Sequence, residues 1–156
     1  MSKKFYDVER MARIIHVLVN NFGDDELVNS MINHLIRDES DYLVPTLKSK
    51  GVEALEQEYE NSLEKLPRNA VWPKSKELSS KIVLEHGFTI NEAIKQCIKA
   101  KDIKKIIAIL DKTKKGLIYI TKDENEILGK KGFSKNRKKG FIEAYKECNI
   151  KLIKNE

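Results

Sequence analysis

Ten consecutive residues, Lys130 to Lys139, read KKGFSKNRKK and hold six cations, one phenylalanine, one glycine and no carboxylate. Repulsion among like charges keeps such a segment from folding inward, so it must sit in solvent or against something anionic. It is the steepest point of a wider asymmetry. From Met1 to Arg68 the chain has 9 Lys and Arg against 13 Asp and Glu, and from Asn69 to Glu156 it has 21 against 11, so the net charge turns from −4 to +10. A basic excess placed this way favours a nucleic-acid partner. The competing reading is an exposed, mobile, lysine-rich loop that confers only solubility.

A chain of 156 residues can bury a core without a disulfide or metal staple. The apolar share of 40% is spread evenly enough, beside a charged share of 35%, to predict a folded, soluble protein. Cys97 and Cys148 lie far apart and neither belongs to a C-x-x-C pair, which predicts reduced thiols in a cytoplasmic protein and no zinc site. The start, MSKKFYDVER, carries no signal-peptide pattern. The best apolar stretch near it, Ile14 to Val19, is short and broken by His16, so no membrane span is expected. Richness in Lys, Ile and Asn suggests AT-rich coding, as in low-GC bacteria and their phages. No cofactor and no metal are indicated.

The acidic part reads as helices. Val8, Met11, Ile14, Ile15, Leu18 and Val19 recur at three- and four-residue steps over Phe5 to Phe22, and Gly23 ends the run. Asp24 or Asp25 then caps a second helix, with Leu27, Val28, Met31, Ile32, Leu35 and Ile36 in the same period. Ser40 and Asp41 open a short third segment, with Pro45 in its first turn and Gly51 closing it. A fourth helix is predicted from Val52 to Leu66, ended by Pro67. The charge reversal falls at the same place, which divides the chain into an acidic helical region, 1–66, and a basic region, 69–156, unless both form one compact domain.

In the basic part, Asn69 to Trp72 reads as a short extended piece. Pro73 then opens a helix from about Lys74 to His86, with Gly87 as its C-cap. Thr89 and Glu92 form a T-x-x-E capping box before TINEAIKQCIKA. The next helix, Asp102 to Lys112, turns Ile103, Ile106, Ile107 and Leu110 inward and Lys101, Lys104, Lys105 and Lys112 outward. Gly116 precedes Leu-Ile-Tyr-Ile-Thr, whose four apolar residues in succession predict a buried strand. Thr121 and Glu124 make a second capping box. A short helix, the basic loop, a helix from about Phe141 to Cys148 and a last strand, Ile150 to Lys154, follow. An ordinary right-handed crossover would make the two strands parallel.

Three short stretches resemble known families. Gly87 to Ile94, with Pro73 upstream, is similar to the helix junction of ribbon-helix-helix DNA-binding proteins, a resemblance that implies an intertwined homodimer. Gly129-Lys130-Lys131-Gly132, preceded by Ile127 and Leu128, resembles the G-x-x-G loop of the KH module, which implies a backbone pressed on nucleotide phosphates. Arg10 and His16 resemble the R-x(4–6)-H signature of HEPN ribonuclease-like domains, although positions six apart on a helix point about 120° apart.

Other chemistry-bearing residues have simpler roles. His34 and Asp38 lie one helical turn apart, but no second pair stands at ligand spacing. Asp123, Glu124 and Glu126 beside the basic loop would serve a metal-dependent nuclease, yet first-turn acids that favour the helix dipole explain Asp123 and Glu124 better. Tyr119, Tyr145 and Trp72 read as core or boundary aromatics.

The expected fold is therefore α+β and predominantly helical, with a helical N-terminal half and a basic C-terminal half ending in a small β-α-α-β unit. The expected function is largely backbone-directed nucleic-acid binding, to RNA or DNA, in a small regulatory or phage-type protein. Its carriers are Gly129, Lys130, Lys131, Gly132, Phe133, Lys135, Arg137, Lys138 and Lys139, supported by Lys101, Lys104 and Lys105, with Phe133 or Phe141 able to stack an unpaired base. A protein-interaction module acting as an inhibitor or antitoxin-like factor is the second reading, and a small nuclease or toxin the third.

Overall fold

A computed structural model describes residues 7–156. The fold is α+β and predominantly helical, with one four-stranded sheet. Asp7 accepts hydrogen bonds from the N–H groups of Glu9 and Arg10 and so starts helix α1, Val8–Phe22. Its predicted beginning at Phe5 lies outside the described residues. Asp25 caps α2, Glu26–Ser40, in the same way. The Thr89–Glu92 capping box opens α6, Ile90–Ala100, and Asp102 caps α7, Ile103–Lys115. These four helices share one core, built on Ile15, Ile32, Ala93, Cys97 and Ile106 among others. Burial alone pushes the Cys97 thiol up to about 12, so it stays protonated and inert at neutral pH.

The sheet is assembled from β1 (Leu47–Ser49), β2 (Ile82–His86), β3 (Leu117–Thr121) and β4 (Leu152–Lys154) in the order β2-β3-β1-β4. Strand β3 has a neighbour on each side and is buried from Leu117 to Ile120, as its unbroken apolar run predicts. Tyr119 packs on one face with Val52 and Leu78, while Ile118 and Ile120 pack on the other with Leu128 and Tyr145. The second capping box, Thr121 with Glu124, then opens α8, Lys122–Lys130.

Several local expectations give way to sheet pairing. The segment after Ser40 holds no helix of its own: Leu47, Lys48 and Ser49 form β1, paired with both β3 and β4. Gly51 lies in the first turn of α3, Lys50–Glu58, and closes nothing. A Cβ there would come 2.7 Å from Glu124 Oε1, so the absent side chain admits that carboxylate. Helix α3 stops well before Leu66, because Glu56 accepts the Leu63 N–H at 3.1 Å and Glu60 and Lys65 adopt positive φ.

Asn69 to Trp72 is helical, within α4, Arg68–Lys74, which also contains Pro73. The helix predicted from Lys74 to His86 divides into α5, Lys76–Lys81, and the strand β2. The Ile-Val-Leu run of β2 pairs antiparallel with β3 from Ile82 opposite Thr121 to His86 opposite Leu117. A strand, not a helix, therefore precedes Gly87, which removes the ribbon-helix-helix junction. The last two strands share the sheet, but β1 separates them. Since β1 runs parallel to β3 and antiparallel to β4, β3 and β4 point in opposite directions, against the crossover expectation.

Candidate nucleic-acid interface

The basic segment is folded as a tethered loop between α8 and α9, Phe141–Glu147. Helix α8 ends in a Schellman motif, with the Gly132 N–H donating to Gly129 O at 3.0 Å and the Phe133 N–H to Leu128 O at 2.9 Å. Gly132, at φ 80°, supplies the left-handed residue this helix end requires, and Gly129 and Lys130 still belong to α8. The G-x-x-G thus straddles a helix terminus, unlike the compact loop that the KH resemblance implies. Gly140, at φ 85°, reverses the chain again and donates its N–H to Arg137 O at 2.7 Å just before α9.

Arg137 is the exception to the expectation that every cation here faces solvent. It is only 3% exposed. Its guanidinium donates to the carbonyls of His86 at 2.6 Å, Gly87 at 2.8 Å and Phe133 at 3.0 Å, and it pairs with the Glu85 carboxylate. It also lies over the Tyr145 ring, 5.4 Å from its centroid. A buried charge survives when it is paired and hydrogen-bonded, and Arg137 meets that condition with a partner for each of its three nitrogens, among them the buried carbonyls at the end of β2. The loop backbone is held as well: Thr89 Oγ1 and Asn91 Nδ2 donate to Lys135 O, and the Arg137 N–H donates to Glu92.

Next to this anchor, His86 is buried, and its Nε2 lies 2.9 Å from Ser40 Oγ. The Ser40 hydroxyl donates to Ile36 O, so His86 must be the donor of the pair. Burial first, then the nearby charges of Arg37 and Arg137, lower its pKa to about 4. The histidine is neutral at physiological pH and leaves the local positive charge to Arg137.

The frame turns Lys130, Lys131, Lys135, Lys138 and Lys139 to the surface. Lys131 reaches the Glu147 carbonyl with its ammonium. Phe133 and Phe141 are half-buried on the core beneath α8 and α9, and Phe141 meets Tyr145 edge to face at 6.3 Å. Beside the loop, an open cleft of about 800 Å³ lies between the end of β2, helices α6 and α7, and the loop itself. Phe88, Gln96, Ala108, Lys112, Lys138 and Phe141 help to line it. Gln96 and Ala108 carry it into a shallower depression holding Lys99 and Lys105. Lys138 and Gly140 carry it the other way, to Phe133, Asn136 and Lys139. Together these hollows form one furrow with lysines along its length.

Of the three supporting lysines, Lys105 lines this furrow. Lys104 lies one helical turn before Ala108 on the same side of α7, whereas Lys101 caps α6 at the corner between the helices, with φ 49°. Lys112 and Lys115 were not assigned to the site from sequence. As cations in the last turn of α7 they already have a local reason to be there, the negative helix end. Only the tertiary fold carries that end to the basic loop. Lys112 lies over the Phe88 ring, 4.3 Å from its centroid.

The remaining candidates stay apart from the furrow. Arg10 is exposed in the first turn of α1 and His16 is half-buried further along it, while His34 and Asp38 are exposed on α2. Glu124 is occupied, accepting from Ser49 Oγ as well as from the Thr121 N–H at 2.8 Å. Tyr119 and Tyr145 are core residues, but Trp72 is 53% exposed, with the Lys76 ammonium over its ring. No helix among the described residues is long and apolar enough to cross a membrane. Compared with protein families, curated proteins and solved structures, the chain has no significant match.

Proposed function

We propose that the protein binds nucleic acid, chiefly through the phosphate backbone. The surface in question is the lysine set Lys130, Lys131, Lys135, Lys138 and Lys139, extended along α7 by Lys105, Lys112 and Lys115. One observation carries this reading: Arg137 fixes the loop from inside, so its neighbouring lysines stand on a built frame. A segment serving solubility alone has no need of a buried, multiply bonded arginine. A backbone already held in place loses little further conformational entropy when its lysines meet phosphates, and each phosphate neutralised releases counterions. Gel shifts with RNA, single-stranded DNA and duplex DNA across a salt series test the proposal, which predicts binding at low salt that weakens steeply as salt rises.

A second reading, a protein-interaction module of inhibitor or antitoxin type, draws on the outer faces of α1 and α2. Helices α1 and α2 leave Val17, Phe22, Leu27 and Met31 exposed, Leu27 by 71% and Phe22 by 63%. Apolar side chains at that exposure suit a protein partner better than a polyanion. Retention of binding after reversal of the loop charges would favour this reading.

A further inference from the structure

We infer that the cleft between α7 and the basic loop receives an unpaired base, so that the ligand is a single strand and not a duplex. This rests on the proposal of nucleic-acid binding and adds to it the form of the ligand. A site for phosphates alone needs only a convex display of cations. Here the cations border a concavity of about 800 Å³, within the range of roughly 300 to 1,000 Å³ typical of clefts that enclose small ligands.

Its lining separates two kinds of chemistry. The half-buried Phe141 gives it aromatic surface, with the buried Phe88 beneath Lys112 at its floor. Phe141 reaches its place because position 87 is glycine: a Cβ there would lie 2.9 Å from the Phe141 ring and 3.0 Å from Gly116 O. The Gly87 φ is not in the left-handed region, so the glycine serves this close approach and not a turn. Lys112, Lys115 and Lys138 stand around the same cleft as partners for phosphates. Gln96 and Asp111 add a side-chain amide and a carboxylate that can meet a base edge, and the Asp111 carboxylate would repel a phosphate. Aromatic surface, hydrogen-bonding groups and flanking cations together match a nucleotide.

The furrow distinguishes a strand from a free nucleotide. From Lys105 to Lys115 the helix rises about 15 Å, and the depression containing Lys138 and Lys139 continues beyond it. That length spans several backbone phosphates, and a mononucleotide would leave most of it unused. A base within a duplex has both faces stacked and its edge paired, so entry would require unpairing first.

The test is fluorescence anisotropy at low salt with a short labelled single strand, the matching duplex, a strand of equal length with abasic sites, and a mononucleotide competitor. Wild-type protein should bind the normal strand about tenfold more tightly than the abasic one. Ala108→Leu, at an exposed position inside the cleft, should crowd it with a side chain that offers no stacking face and so reduce the ratio of normal to abasic affinity. Gln96→Leu, which removes the amide offered to the base edge, should also lower the preference for the normal strand, with circular dichroism checking both folds. Equal affinity of the wild type for normal and abasic strands, or tighter binding of the duplex, would overturn the base cleft and leave backbone binding standing. Displacement of the strand by an equal concentration of mononucleotide would also overturn it, in favour of a mononucleotide site. Absence of binding to every ligand would remove both this inference and the proposal beneath it.

Discussion

Two long irregular segments, 59–67 and 131–140, are each tethered through a charged side chain that belongs to a buried ion pair, yet they leave different surfaces. The first is tethered by Glu56, which accepts the Leu63 N–H and pairs with the buried Lys48 at 2.7 Å. The Tyr119 hydroxyl adds a hydrogen bond to Leu66 O at 2.7 Å. The second is tethered by Arg137 in its pair with Glu85. In 59–67 the outward charges are of both signs, Glu60, Glu64 and Lys65, with Lys65 3.4 Å from Glu64. In 131–140 every outward charge is positive. An internal ion pair makes a loop rigid in both cases. Only the second rigid loop carries a field for which the segment itself supplies no counter-charge, and that difference separates a structural connection from an interaction surface.

The comparison breaks most directly at the tethers. Arg137→Ala should destabilise the fold by about 3–5 kcal/mol, because it strands Glu85 and frees the carbonyls of His86 and Gly87. Glu56→Ala should cost a similar amount by stranding Lys48, whose side chain is 7% exposed. Urea denaturation measures both. Their effects on nucleic-acid binding should diverge under conditions where both variants are folded, with Arg137→Ala weakening it and Glu56→Ala leaving it unchanged.

A smaller effect belongs to His86, beside the second tether. With a folded pKa of about 4 against an ordinary 6.5, the unfolded chain takes up a proton that the folded chain refuses as pH falls through this window. Its contribution is present above pH 6.5 and is lost toward pH 4, by about 3 kcal/mol. Denaturation of wild type and His86→Gln at pH 7 and pH 4.5 should therefore show a shallower pH dependence in the variant. The smallest stability effect, within about 0.5 kcal/mol, is expected for Lys138→Glu with Lys139→Glu, since both side chains are exposed. The same pair should weaken every nucleic-acid ligand alike, by about tenfold or more.

The two ends of the molecule were unequally legible. Helices α1, α2, α6 and α7 follow from apolar steps of three and four with a capping residue in front, and both T-x-x-E boxes form as read. Strand β3 follows from its continuous apolar run. Strand β4 forms at the end of the expected Ile150 to Lys154 run, but its direction and the existence of the three-residue β1 depend on partners far along the chain. Strand β2 falls inside the helix expected between Pro73 and the cap at Gly87, and only its pairing with β3 decides otherwise. In the site, the lysines were visible as a charge run. The inward turn of Arg137 was not, since nothing in the local residue pattern separates it from Lys138 and its acceptors on Glu85, His86 and Gly87 lie some fifty residues earlier. Lys112 and Lys115 were hidden for the same reason: the approach of α7 to the loop is a tertiary fact.

The central claim is that an anchored cationic loop meets phosphates, and the salt dependence of binding tests it most directly. If about four lysines contact phosphates, the slope of log affinity against log salt should be near −3 on a single strand or near −4 on a duplex. It should flatten when Lys138 and Lys139 are replaced by glutamate. A wild-type protein that shows no retention on heparin or nucleic acid at low salt would contradict the account.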